Sequence, residues 1–121
     1  MGNETASWRS KKLFDRALYD QLDEETGGAG LEIIAALLSV ASARRDAMLA
    51  AAAEGRPDEL VRVAHTAKSG ARSLGLLRLA ELCDGIERFP PKDPAELAAL
   101  GPAIQSEFDA AIAVMTELRK E

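Results

Sequence analysis

Alanine and leucine dominate this sequence, and their abundance limits the fold more than any other property of the chain does. The 121 residues include 23 Ala and 16 Leu, against only 4 Val, 5 Ile and 4 Thr. Alanine and leucine lose little on entering a helix, whereas β-branched residues favour strands. Aromatic residues make up only 4%, so the core must consist of small aliphatic side chains, which closely packed helices accommodate. The composition therefore predicts an all-α protein.

The charge balance and the single cysteine exclude several classes of protein. Lys and Arg number 15 against 20 Asp and Glu, which gives a net charge of −5. A nucleic-acid backbone repels such a chain, so we expect no nucleic-acid partner. Cys83 has no second cysteine to pair with, which is typical of a reducing compartment. No apolar run approaches the ~18 residues of a membrane span. We therefore expect a cytoplasmic protein with no membrane association.

Glycine and proline divide the sequence into helical segments. The apolar spacing predicts helices over about 7–26, 31–54, 57–74, 76–88 and 93–118. Four long helices with short connections favour an antiparallel four-helix bundle, and we expect the first helix to pack across one end of it. We expect residues 1–121 to form this single domain. Such a bundle closes its own core, so we also expect a monomer.

The predicted third helix carries the only histidine, His65, on its polar side. Lys68, Ser69 and Arg72 follow at positions +3, +4 and +7, so all four residues share one strip of helix surface. A histidine keeps a free ring-nitrogen lone pair near neutral pH. Nearby cations and a hydroxyl would stabilise an anionic group attached to that ring. The strip therefore favours a histidine that receives a phosphoryl group, and a surface histidine without any such role is the alternative.

The run AHTAKSGARSLGL, residues 64–76, closely resembles the signature of the histidine-containing phosphotransfer (HPt) domain family. That pattern has His, then Lys at +3, small residues at +4 to +6 and an apolar–Gly pair at +9 and +10, followed by a Leu…Cys…Leu-Glu stretch on the next helix. In this chain the matching positions are His65, Lys68, 69–71, Leu74, Gly75, Leu79, Cys83, Ile86 and Glu87. The chain departs from the pattern at Ser69, where many members have glycine.

The resemblance implies an intermediate of a phosphorelay. A receiver domain that carries phospho-Asp would dock over His65, the ring would take the phosphoryl group, and a second receiver would remove it. Lys68 and Ser69 would stabilise the phosphoryl group, while Val61 and Arg72 would contribute to the docking surface. The implied partners are response-regulator receiver domains, with a hybrid histidine kinase as a further candidate.

We expect this chain to bind no metal and no cofactor. A Mg²⁺ ion would belong to the partner receiver domain, because no carboxylate cluster in the sequence resembles a magnesium site. The chain has no P-loop or glycine-rich phosphate cradle, so we expect no autonomous kinase or ATPase activity. The acidic residues look scattered over solvated faces, and we expect no acid–base pair among them. Cys83 is expected to be a small buried hydrophobe.

Two other functions remain open at this point. A phosphoacceptor domain of a chemotaxis-type histidine kinase shares the fold and the histidine, although kinase regions would follow it and this sequence ends at Glu121. A non-catalytic helical adaptor would instead use the apolar stripe of the C-terminal helix to bind a partner helix. The dimerisation domain of an ordinary sensor kinase is disfavoured, because Thr66 follows the histidine where an acidic residue is usual.

Overall fold

The computed structural model of the protein describes residues 8–121, and the regular structure within that range is entirely helical. The prediction of an all-α protein is therefore confirmed. No single helix in the described range is long and apolar enough to cross a membrane, and only the helices Arg16–Glu25 and Gly30–Ala53 taken together, across a bend of 114°, meet the length and composition required. The helices are α1 (Arg16–Glu25), α2 (Gly30–Ala53), α3 (Pro57–Leu74), α4 (Leu77–Arg88), α5 (Pro94–Ala99) and α6 (Gly101–Leu118).

The ends of α3 follow from glycine and proline chemistry. Gly55 has a φ of 69° and closes α2, and Pro57 opens α3, where its fixed φ suits the first turn. Gly75 ends α3 with a φ of 84°. A Cβ atom at this position would lie 2.4 Å from the carbonyl oxygen of Asp15. Both the left-handed backbone and the close approach of the N-terminal segment therefore require glycine after α3.

The first helix is shorter than the predicted segment 7–26. Position 7 lies outside the described residues, residues 8–10 form a short 3₁₀ turn, and α1 begins only after Asp15. Asp15 has extended backbone angles, and its side chain accepts a hydrogen bond from the backbone amide two residues ahead. Its own amide donates to the carbonyl of Gly75 over 2.8 Å. This capping and the backbone contact hold the preceding chain out of the helix.

The predicted helix over 93–118 is two helices. Asp93 caps α5, because its carboxylate accepts a hydrogen bond from the amide of Glu96. The chain then turns at Leu100, whose amide bonds back only three residues. Pro102 explains the break, because proline has no amide hydrogen to continue the ladder of α5. The proline then occupies the first turn of α6, where its missing donor costs nothing.

The helices α2, α3, α4 and α6 bury the core between them. The helix α2 packs against α3 and α6, α3 packs against α4, and α4 reaches α6, while α1 contacts both α2 and α3. The apolar stripe of α6 faces this core, so the protein's own helices already cover the surface that an adaptor would use. The buried apolar residues of the α6 stripe are Ile104, Phe108, Ala111, Met115 and Leu118.

One charged residue lies inside this core. Glu107 of α6 is almost completely buried, with a side chain that is 2% exposed. Both of its carboxylate oxygens accept hydrogen bonds from Arg78 of α4, at 2.9 and 3.2 Å. Glu107 lies three residues after Ile104, within the apolar stripe of α6, and this position is the sequence signal for its burial. The bidentate pair provides the polar link between α4 and α6.

Candidate functional site

The imidazole of His65 stands on the outer surface of α3. Its side chain is 70% exposed, whereas Ala64 and Ala67, on the opposite side of the helix, are buried in the core. This division follows from the helical period, which carries the small apolar residues inward and the polar strip outward. A partner protein therefore has access to the ring.

The hydrogen-bonding partner of His65 comes from the neighbouring helix. Nδ1 of the imidazole lies 2.5 Å from Oε2 of Glu87 on α4. An ionised carboxylate can only accept hydrogen bonds, so Nδ1 carries the hydrogen and donates it to Glu87. In the neutral ring the other nitrogen, Nε2, then keeps its lone pair. Glu87 therefore fixes both the orientation of the ring and the nitrogen that is available for chemistry.

Lys68 binds the same carboxylate from the other side. Its Nζ lies 2.5 Å from Oε1 of Glu87 and 3.4 Å from Oδ1 of Asp84, and its side chain is 20% exposed. The pKa of Lys68 is raised, chiefly by its bond to Glu87, against the opposing effect of burial. The pKa of Glu87 is lowered, chiefly by Lys68 and further by His65. Glu87 is therefore a shared anion that joins the imidazole and the ammonium group.

Asp84 lies on α4 near Glu87 and faces three cations, of which Lys68 is the first. Its Oδ1 also approaches Nη2 of Arg72 at 3.9 Å, and its Oδ2 lies 3.3 Å from Nη1 of Arg88. The expectation that the acidic residues are scattered over solvated faces is therefore wrong at this site. Asp84 and Glu87 are three residues apart, which places them on one side of α4, and the packing of α4 against α3 brings them to His65.

The remaining predicted site residues surround the ring at different depths. Ser69 is exposed one turn beyond His65, and its hydroxyl makes no hydrogen bond within residues 8–121. Val61, one turn before the histidine, is half-buried and packs against the core. Arg72 is exposed, but its guanidinium group already faces Asp84. The strip predicted from the sequence is therefore present, with its two cations turned toward α4.

Gly70 faces α2, whereas the His65 cluster faces α4. A Cβ atom at this position would meet the side chain of Leu37 on α2 at 2.8 Å. The glycine at +5 from the histidine therefore lets α2 approach α3 closely, and it lies away from the exposed ring.

Cys83 lies under the two carboxylates and belongs to the core. It is completely buried between α4 and its neighbours. Burial raises the pKa of its thiol to about 12, so the thiolate that reacts with electrophiles is scarce at neutral pH. The predicted role as a small hydrophobe agrees with this environment. No group of three or more His, Cys, Asp and Glu side chains in the described residues is arranged to hold a metal ion.

The described residues thus form an all-helical protein with one accessible histidine that a carboxylate orients. The model of the Hpt domain family matches residues 32–119, and the chain therefore belongs to the Hpt domain family, as its signature predicted. Hpt domains carry out histidine phosphotransfer in phosphorelays and interact with receiver domains of response regulators or hybrid kinases. No curated protein and no solved structure matches this chain.

Proposed function

We propose that this protein is a phosphorelay intermediate that accepts a phosphoryl group on His65 from the phospho-Asp of a receiver domain and passes it to another receiver domain. The observation that supports this most directly is the hydrogen bond between Nδ1 of His65 and Glu87. It leaves Nε2 as the only ring nitrogen free to act as a nucleophile. The 70% exposure of the side chain allows a receiver to reach that nitrogen.

The transfer balances in charge and atoms without any further reactant. The lone pair of Nε2 attacks phosphorus, the P–N bond forms as the P–O bond to the receiver aspartate breaks, and the aspartate leaves as a carboxylate. The ring retains its Nδ1 hydrogen and becomes positively charged. Glu87 accepts the hydrogen bond from that nitrogen, so its negative charge stabilises the cationic ring. The reverse steps pass the phosphoryl group to the next receiver.

Lys68 and Ser69 are the proposed ligands of the phosphoryl oxygens. Lys68 stands one turn from His65 and shares Glu87 with it, so its ammonium group is held close to the reacting ring. The Ser69 hydroxyl forms no competing hydrogen bond within the described residues and is free to donate. Positioning and charge compensation of this kind are the main requirements of phosphoryl transfer.

The docking surface of the receiver is proposed to include Val61 and Arg72, which lie on either side of the ring along α3. Val61 offers partly exposed apolar surface, and Arg72 offers a cation. The receiver's phosphorylation site is anionic, so a surface with arginine beside the histidine is complementary to it.

The proposed scaffold is a single domain built as an antiparallel four-helix bundle of α2, α3, α4 and α6. The short connections and the packing of α2 on α3, α3 on α4 and α4 on α6 support this arrangement. The contacts of α1 with α2 and α3 support its assignment as the additional N-terminal helix.

The test of this function is transfer from a purified, phosphorylated receiver domain, taken from a panel of receivers. The wild-type protein should acquire an acid-labile, base-stable phosphoryl group. The variant His65→Gln should acquire none while keeping its helical circular dichroism. Thr66→Ala is the matched control, because it alters the adjacent exposed position and should retain the label. Labelling of His65→Gln, or of no form of the protein with any receiver, would contradict the proposal.

A further inference from the structure

We propose that Asp84 is a positioning residue that holds cations away from the phosphoryl group on His65 and so keeps the phosphohistidine ready to give that group up. This inference rests on the proposed role of His65 as the phosphoacceptor. Glu87 touches the ring directly, whereas Asp84 acts through the cations that it binds.

The geometry places Asp84 at the centre of a charged cluster. Its side chain is only 14% exposed and faces Lys68 at 3.4 Å, Arg88 at 3.3 Å and Arg72 at 3.9 Å. Arg72 and Arg88 are themselves more than half exposed, so Asp84 is the inner, fixed member of these pairs. An anion held in place by its surroundings controls where the more mobile cations rest.

The same cations are those that phosphoryl oxygens at His65 would attract. Lys68 lies one turn from the histidine along α3, and Arg72 lies one turn further. A phosphoryl group and the Asp84 carboxylate therefore compete for Lys68 and Arg72. The cluster contains three cations and two carboxylates, namely Lys68, Arg72, Arg88, Asp84 and Glu87. With the imidazole neutral, the net charge of the cluster is therefore +1.

This competition has a defined consequence for the balance of the relay. The reaction moves a phosphoryl group from an aspartate oxygen to Nε2 and releases the aspartate carboxylate, so anything that stabilises the charge at His65 favours phosphohistidine. Asp84 opposes that stabilisation both by its own negative charge and by binding the cations. Its effect is to raise the tendency of the phosphohistidine to transfer its group onward.

The variant Asp84→Asn tests this directly, with the equilibrium ratio of phosphohistidine to phosphorylated receiver as the measurement. Loss of one nearby negative charge and release of the cations should raise this ratio about fivefold at low ionic strength, and the increase should shrink as salt is added. Asp84→Glu keeps the charge and should restore a ratio near that of the wild type. The ratio can be read by ³¹P NMR of the full chain mixed with a receiver that phosphorylates it.

Two further variants control for folding and for charge in general. Asp109→Asn removes a carboxylate that pairs with Arg45 between α6 and α2, away from this cluster, and should leave the ratio unchanged. Arg88→Gln removes a cation from Asp84 and should lower the ratio, the opposite direction to Asp84→Asn. This second variant also tests the proposal if Asp84→Asn fails to fold.

An unchanged ratio in Asp84→Asn, or a shift toward the phosphorylated receiver, would overturn the role of Asp84 while leaving His65 as the phosphoacceptor. Shifts of Asp84→Asn and Arg88→Gln in the same direction would also overturn it. Failure of the wild-type protein to accept phosphate would instead overturn the proposed function on which this inference depends. These results separate the two claims.

Discussion

Two of the carboxylate contacts that join α4 to its neighbours differ in whether they leave a group free to react. The first contact joins Arg78 to Glu107 of α6, and the second joins Glu87 to His65 and Lys68 of α3. In the first, both oxygens of a buried carboxylate receive hydrogen bonds from one guanidinium group. In the second, the carboxylate is shared by two partners, one of which stands mostly in solvent.

The Arg78–Glu107 pair is a structural contact, which serves only stability. The Glu87–His65 contact is a chemical contact, because it acts on the ring that is proposed to react. The Arg78–Glu107 pair satisfies the buried carboxylate within the protein, so nothing about that carboxylate is available to another molecule. The contact of Glu87 with His65 satisfies only one of the two ring nitrogens, and the other has no hydrogen-bond partner in the described residues. Similar groups in similar pairs therefore fix a helix in one case and, in the proposed function, prepare a nucleophile in the other.

The largest effect is expected from breaking the structural contact. Arg78→Met leaves the Glu107 carboxylate buried without its partner, and removal of one partner from a buried pair costs about 3 kcal/mol. Urea unfolding should show this loss as a lower midpoint with an unchanged slope. The folded variant should accept phosphate at the wild-type rate, because Arg78 does not contact the His65 cluster.

The double variant Arg78→Met/Glu107→Leu provides the control for this prediction. With both charges replaced by apolar side chains, most of the lost stability should return. A double variant that is less stable than Arg78→Met would show that the pair does not act as a unit.

Changing the chemical contact should give the opposite pattern, a loss of rate with little loss of stability. Glu87→Gln still offers an oxygen to Nδ1, but it lacks the charge that stabilises the cationic ring. Hydrogen bonds to charged groups are worth about 1 kcal/mol more than neutral ones, so the rate of phosphate acceptance should fall about fivefold. Rapid-quench measurement with one receiver would check this, and a rate equal to that of the wild type would exclude Glu87 from the chemistry.

A smaller effect should appear in the pH dependence of stability. The pKa of Glu87 is lowered in the folded protein, chiefly by Lys68, so its contribution is present above the ordinary glutamate range near ~4.3 and is lost as the pH falls through the lower folded value. The stability difference between the wild type and Glu87→Gln should therefore be largest near neutral pH and shrink toward pH 3. Urea titrations of both proteins would measure it, and a difference that grows at low pH would contradict the ion pair.

The smallest effect is expected at an exposed pair. Asp109 on the surface of α6 accepts hydrogen bonds from Gln105 of the same helix and from Arg45 of α2, and these bonds, chiefly the one from Gln105, lower the pKa of its carboxyl group. Exposed pairs contribute little because water and salt screen them, so Asp109→Asn should change the free energy of unfolding by less than about 0.5 kcal/mol. A larger loss, measured by the same urea titration, would show that this pair resembles the Arg78–Glu107 contact.

The sequence was most informative where structure depends on neighbouring residues. Gly55, Pro57 and Gly75 mark the ends of helices because their backbone preferences act locally, and the buried arc of α3 follows from a simple period. The break at Leu100 was missed because the apolar period continues through it, and Pro102 suits the start of a new helix as well as it ends an old one.

The sequence predicts only the part of the candidate site that lies on α3, and the physical reason differs from the one at Leu100. His65 and Lys68 lie on one helix, so their spacing alone puts them together. Glu87 is indicated only by the family resemblance. The position of Asp84 beside Lys68 depends on how α4 packs against α3. Side-chain contacts between helices arise from packing, which a single sequence does not encode in any readable spacing.

The buried thiol of Cys83 offers a way to measure how often α4 separates from its neighbours. Cys83 is the only cysteine and sits next to Asp84 in sequence, sealed beneath the surface on which the relay chemistry is proposed. An alkylating reagent can modify it only when α4 lifts from its neighbours. The speed of alkylation therefore reports how often that helix detaches, and a docked receiver that steadies the helix would slow the modification without touching the sulfur.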